Sequence, residues 1–251
     1  MDTIIVTGAS SGFGEAIARR FLAEGYNVIA IARREEKLMD LAHNFPGKVH
    51  ALALDITDKH AVEECLSNIP EYFENITALV NNAGLSLGFG PAQDNNINDW
   101  ETMVNTNIVA LLHITKKVLK MFKEKNQGHI INIGSVAAYY PYMGSNVYGA
   151  TKSFVHNFTL NLKTDLEGSN IRASCIAPGL SKTEFAVVRF KGDVEKADSL
   201  YENKTYLTAD NIAETVFWTF SLPANVNINV MEVMPTGQSF ALGFTKKQDE
   251  K

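Results

Sequence analysis

The sequence predicts an α/β fold, a doubly wound parallel β-sheet of about seven strands with helices on both faces. Short apolar runs recur along the chain at 4–6, 27–32, 49–56, 77–80, 128–135, 171–176 and 228–234. They have the length and composition of strands buried on both faces. Between them lie segments of helical periodicity, the alternation that right-handed crossovers of a parallel sheet require. No internal repeat or composition break divides the 251 residues, so residues 1–245 read as a single domain followed by a charged tail at 246–251. With 45% apolar and 20% charged residues, a chain of this size can bury one substantial core.

Composition excludes several functions. A net charge of -5 offers no basic surface for nucleic acid. The six histidines lack metal-ligand spacing, and Cys65 and Cys175 form no CxxC or zinc pattern, so no metal site is expected. The N-terminus enters a strand without a basic leader, and no apolar stretch reaches membrane-spanning length. The expectation is a soluble, cytoplasmic protein with a small-molecule ligand and no membrane or nucleic-acid partner.

The first strand, Ile4-Ile5-Val6, leads into Thr7-Gly8-Ala9-Ser10-Ser11-Gly12-Phe13-Gly14 and then into a helix at 15–23. Strand, glycine-rich turn and helix in that order are the context of a Rossmann-type nucleotide site. Glycines let the backbone approach a pyrophosphate, and the helix N-terminus holds it with free N–H groups. The spacing is GxxxGxG rather than GxGxxG. After the second strand, Arg33-Arg34 stands where an NAD site places a carboxylate. Guanidinium groups suit a 2′-phosphate, which predicts NADP(H); alternatively, the two arginines only begin the solvated helix 35–42. The third strand ends in Asp55, placed to accept from an adenine amino group, with Ile56 packed on the ring. The fourth runs into Asn81-Asn82-Ala83-Gly84, a polar turn at the sheet edge where open α/β folds bind ligands.

A polar loop at 85–98 precedes a long helical pattern at 100–120. Asn105-Thr106-Asn107 interrupts that pattern with poor helix formers, a composition that opens a kink able to hold water or simply buries a polar group. Ser135 follows the fifth strand, and Pro178-Gly179 makes another turn at the same edge after the sixth. Tyr148 and Lys152, one helical turn apart, share a helix face that converges with Ser135. An adjacent ammonium is expected to hold the phenol below its ordinary pKa of about 10, where it can give and take a proton.

Jointly, TGASSGFG, Asp55, NNAG at 81–84, Asn107, Ser135, Tyr148-x-x-x-Lys152 and Pro178-Gly179 resemble the short-chain dehydrogenase/reductase family, in its order and spacing, from Ile4 to about Gly237. NNAGLSLG, GHIINIGS, NVYGATKSFV and LPANVNINVMEVMP are similar to its branch of NADP-dependent 3-hydroxy acid dehydrogenases, which act on serine, allo-threonine and malonic semialdehyde. The resemblance implies a catalytic set of Asn107, Ser135, Tyr148 and Lys152. Tyr148 would be the general acid and base, and Ser135 would bond the substrate oxygen. Lys152 would tune Tyr148 and bind the nicotinamide ribose, and Asn107 would hold a water leading to solvent. The implied coenzyme contacts are Gly8, Ser10, Ser11, Gly12, Phe13, Gly14, Arg33, Arg34, Asp55, Ile56, Asn82, Ala83, Gly84, Tyr148, Lys152, Pro178, Gly179 and Thr183.

The family's lid corresponds to residues 183–208, and a hydroxy acid substrate would need a cation there. Arg189 leads Lys191 and Lys182 for that role beside Ser135 and Tyr148, unless all three are solvated surface charges. The last strand would join subunits, a homotetramer being usual in this family. Two other activities fit the same motifs less closely, a broad carbonyl reductase and a 3-oxoacyl carrier-protein reductase. A non-catalytic NADP sensor would have no need of the intact set Asn107, Ser135, Tyr148 and Lys152.

Overall fold

Strand residues alternate between two apolar layers, and that alternation sets the architecture. The computed structural model describes residues 1–240, so the expected tail at 246–251 lies outside the described residues. The strands are β1 (Thr3–Thr7), β2 (Asn27–Ala32), β3 (Val49–Ala53), β4 (Ile76–Asn81), β5 (Gly128–Ile133), β6 (Ile171–Pro178) and β7 (Val230–Val233). They form one parallel sheet in the order β3-β2-β1-β4-β5-β6-β7. The chain winds outward from β1 to β3, then returns to β4 on the other side of β1. The crevice beyond the C-terminal ends of β1 and β4 is therefore the topological switch point.

On one face, Ile4, Val6, Val28 and Ala30 pack with Ile17 and Phe21 of α1 (Gly12–Ala23), Leu38 and Leu41 of α2 (Glu35–Asn44), and Ile212 and Val216 of α9 (Ala209–Ser221). On the other, Ile5, Ile29, Leu79 and Ile130 pack with Val62 of α3 (Lys59–Ser67), with Ile114, Val118 and Phe122 of α5 (Leu111–Lys125), and with Leu162 of α6 (Asn146–Asp165). Residues one apart in a strand thus belong to opposite cores.

Several boundaries depart from the sequence reading. β3 stops at Ala53, which leaves Asp55 and Ile56 in the following loop rather than in the strand. The interruption at Asn105 is a π-helical turn, Asn105–Ala110, joining α4 (Ile97–Val104) to α5. Such a turn inserts residues into the helical ladder and is frequent at functional sites. The segment without clear period contains α7 (Phe185–Arg189) and α8 (Val194–Ser199), each too short to show one. Among the described residues, no helix is long and apolar enough to cross a membrane.

Phe21 is fully buried where α1 meets α9, with Tyr26, Phe217 and Phe220 edge-on at 5.6, 5.4 and 5.1 Å. Phe21→Ala is expected to cost about 3–5 kcal/mol of stability, read as a lower urea midpoint; an unchanged midpoint would remove this cluster from the stabilising core.

Candidate active site

The turn between β1 and α1 brings its backbone close to the switch point. Gly12 has φ +54°, a left-handed conformation that suits glycine. A Cβ at Gly14 would lie 2.2 Å from the Gly8 carbonyl oxygen, so only glycine lets α1 start so close to the strand end. Ser11, at the helix N-cap, makes no side-chain bond to the first helical amides. Asn82 holds the turn in place, its Nδ2 donating to the Thr7 carbonyl at 2.9 Å, while Thr7 Oγ1 accepts from the amides of Asn82 and Ala83 at 3.0 Å.

A cavity of about 1240 Å³ opens over this turn. Sixteen of the expected coenzyme contacts line it with Tyr148: Gly8, Ser10, Ser11, Gly12, Phe13, Arg33, Arg34, Asp55, Ile56, Asn82, Ala83, Gly84, Lys152, Pro178, Gly179 and Thr183. Ser135 and Arg189 line it too. Gly14 and Asn107 do not; they stand behind the wall. At one end Arg34 donates from Nε to Ser10 Oγ and from Nη2 to the Ser10 carbonyl, both at 3.2 Å, and pairs with Glu184 at 3.1 Å. Arg33 is largely exposed, 4.0 Å from Asp55. Burial opposes ionisation of Asp55, but hydrogen bonds from the Thr57 amide and hydroxyl, with the Arg33 charge, outweigh it and hold its pKa below the ordinary value. A glycine-rich turn at a helix N-terminus, with two guanidinium groups beyond it, fits a phosphorylated dinucleotide.

At the other end, α6 presents Tyr148 and Lys152, both buried. Ser135 caps the short turn Val136–Ala138, accepting from the Ala137 amide at 3.1 Å, and its hydroxyl also hydrogen-bonds the Tyr148 phenol. Burial pushes the phenol up to about 12, aided by neighbouring Tyr142; the Ser135 bond and the Arg189 charge act the other way without overcoming it. Burial also pushes Lys152 down to about 8. The expected depression of the phenol by Lys152 is thus corrected. The ammonium donates to the Ile133 carbonyl at 2.8 Å and lies 5.9 Å from the phenol ring centre, and desolvation dominates both groups.

Asn107, in the π turn, makes three hydrogen bonds through its side chain. It donates to the Leu85 carbonyl (2.8 Å) and Thr151 Oγ1 (3.0 Å), and accepts from the Leu85 amide (2.9 Å). Beneath the same edge runs a buried polar chain. Asn81 donates to Thr115 Oγ1 and Asn132 Oδ1, and Asn132 to Thr159 Oγ1, each at 2.8 Å.

The three candidate cations part company. Lys191 pairs with Asp99 at 2.7 Å and Lys182 with Asp198 at 3.0 Å, both away from the cavity lining. Arg189, only 8% exposed, lines the cavity with its guanidinium carbon 5.2 Å from the Tyr148 ring centre. Its Nε donates to Ser86 Oγ at 2.9 Å and its Nη2 to the Tyr142 hydroxyl at 2.7 Å. The sequence reading gave neither Ser86 nor Tyr142 a role. They lie 103 and 47 positions from Arg189, in loops whose composition signals only irregular structure.

A family model described as short chain dehydrogenase matches residues 2–193. The NADP-dependent 3-hydroxy acid dehydrogenase YdfG of Salmonella typhi is 52% identical over 239 residues, which cover 95% of this chain and 96% of that protein. The serine 3-dehydrogenase of Agrobacterium fabrum is 49% identical over the same length and coverage. In structure, the chain is similar to the closed form of a serine dehydrogenase complexed with NADP+, with TM-score 0.95 and 48% identity over 98% of this chain and 100% of that one. It is also similar to the serine dehydrogenase from Escherichia coli, with TM-score 0.84 and 44% identity over 95% and 100%.

The ligand-free chain carries a stability signature of the buried lysine. Folded Lys152 releases its proton near 8, whereas the unfolded side chain holds one to about 10.4. The unfolded chain binds more protons between those values, so this group's destabilisation is full below pH 8 and is relieved as pH rises across the window. Lys152→Met should therefore be more stable than the parent at pH 7, by up to about 3 kcal/mol, and should lose that rise. Urea titrations at pH 7 and 9.5 test this; a variant less stable at pH 7 with the slope intact would refute it.

Proposed function

The chain belongs to the short-chain dehydrogenase family, and from that premise we propose that it is an NADP-dependent oxidoreductase of small 3-hydroxy acids. Substrates would be serine, allo-threonine or 3-hydroxypropionate, exchanged with their keto or semialdehyde forms. The observation that carries this reading is Arg189, a buried guanidinium beside Tyr148 that meets no carboxylate among the described residues. A buried charge without a counter-ion is costly, and an acid substrate would supply one. The names of the relatives agree with such a substrate.

In this proposal Tyr148 stands protonated at neutral pH and gives its proton to the carbonyl oxygen during reduction. Ser135, already bonded to the phenol, donates to the same oxygen and stabilises the charge developing there. Bound NADPH supplies the hydride. The helix amides and glycine turn would hold its pyrophosphate, Arg33 and Arg34 its 2′-phosphate, Asp55 its adenine and Lys152 its ribose hydroxyls. Reprotonation of Tyr148 runs past Lys152 toward the π turn. The Asn107 side chain has no hydrogen left to give, so a water there would donate to its Oδ1 or bond the turn's main chain.

We place this chemistry on one domain spanning 1–245, in a cytoplasmic homotetramer. Half-buried Val230, Met231 and Val233 on the outermost strand, and exposed Ile97 and Val104 on α4, support subunit contacts.

One panel of NADPH consumption tests the substrate class. Malonic semialdehyde is set against neutral carbonyls of the methylglyoxal type and an acetoacetyl thioester, with NADP-linked oxidation of serine, allo-threonine and 3-hydroxypropionate alongside. Turnover of the acids is expected, and no activity on any acid would overturn the reading. Tyr148→Phe should lower turnover by at least about 10²-fold; near-normal rates would remove Tyr148 from the chemistry. Neutral residues at 33 and 34 should raise KM for NADPH by about 10- to 100-fold while leaving KM for NADH nearly unchanged. Equal shifts for both coenzymes would sink the 2′-phosphate assignment.

A further inference from the structure

Arg189 is held by neutral groups from two distant loops. Ser86 follows β4 and is 1% exposed; Tyr142 precedes α6. Both accept from the guanidinium, at 2.9 and 2.7 Å, and the Gly88 amide donates to the Arg189 carbonyl at 3.1 Å, tying the end of α7 to the same loop as Ser86. The rings of Phe89, Tyr142, Tyr148 and Phe185 surround the guanidinium carbon at 5.2–5.8 Å. Aromatic faces attract a cation without neutralising it. Of five N–H bonds on the guanidinium, Ser86 and Tyr142 take one each. Two hydroxyls at those points fix the plane of the group and leave its charge intact, whereas a carboxylate at either point would cancel it.

We propose that Ser86 and Tyr142 are positioning residues that set the preference for acid over neutral substrates, by aiming the Arg189 guanidinium at the substrate carboxylate. The inference rests on the reading of Arg189 given above. Ser86 and Tyr142 touch neither the reacting carbon nor the coenzyme in this scheme; they act through Arg189. A loosened guanidinium would still be charged but would no longer present its planar fork to a carboxylate, and bidentate recognition depends on that geometry.

The test is the ratio of kcat/KM for malonic semialdehyde to kcat/KM for propanal, measured with NADPH. Arg189→Met should lower the ratio most. Ser86→Ala and Tyr142→Phe should each lower it by about 5- to 10-fold, chiefly through KM for the acid. Ser86→Thr, which restores the hydroxyl, should recover it. In the Arg189→Met background, Ser86→Ala should change the ratio no further, because its route of action is gone. If Arg189→Met lowers the ratio while Ser86→Ala and Tyr142→Phe leave it alone, the positioning role is overturned and the carboxylate reading stands. If Arg189→Met itself leaves the ratio unchanged, the carboxylate reading fails and the positioning role with it. Should Ser86→Ala not fold, Tyr142→Phe keeps the ring and its packing and decides alone.

Discussion

Desolvation of three ionisable side chains in one cavity, with no carboxylate against them among the described residues, is the condition on which the site depends. Tyr148 and Lys152 both move toward their uncharged forms, one upward and one downward, because burial outweighs the opposite charge each has nearby, Arg189 for the phenol and Cys175 for the ammonium. Arg189 keeps its charge and is steadied instead by hydroxyls and ring faces. A carboxylate close to any of the three would have settled the local electrostatics in advance. Without one, the field in the cavity is set by what binds there.

The sheet makes this arrangement possible by bringing distant loops to one edge. The turns after β1, β4, β5 and β6 all face the switch point, and α6 lays its buried face across them. The α7 segment is fastened at two places. Glu184 reaches Arg34 at one end of the cavity, and Arg189 reaches Ser86 and Tyr142 at the other. The exposed Arg34 pair contributes little stability in water, while the buried contacts of Arg189 are worth more because water does not compete for them.

The architecture was legible because buried parallel strands and glycine turns are local signals. Ile4-Ile5-Val6 followed by GASSGFG needs no distant partner to be read as strand, turn and helix. The helix interruption at Asn105 was legible too, from poor helix formers in an otherwise periodic run, although its form as a π turn was not. What failed locally was electrostatics. The i, i+4 spacing of Tyr148 and Lys152 indicates proximity but says nothing of the burial that outweighs it. The ranking of Arg189 over Lys191 and Lys182 likewise rested on no local signal. What separates the three is distant in sequence: Asp99 and Asp198 engage the lysines, and Ser86 engages the arginine. Short helices such as α7 and α8 hold too few residues to show a period.

The amide chain beneath the site also bears on how the sheet assembles. Asn81 and Asn132 are paired in register on neighbouring strands and bond each other across them. Sliding β5 by one residue along β4 would bring Ile131 or Ile133 opposite Asn81 and send Asn132 to the other core. Two buried amides would lose their partners, at about 1–3 kcal/mol each. Neighbouring stretches such as Ile130-Ile131 would tolerate a slip on hydrophobicity alone, since both faces of the sheet are apolar. The asparagines act as an alignment key: the central strands can close correctly in only one way, and that way places every loop of the site.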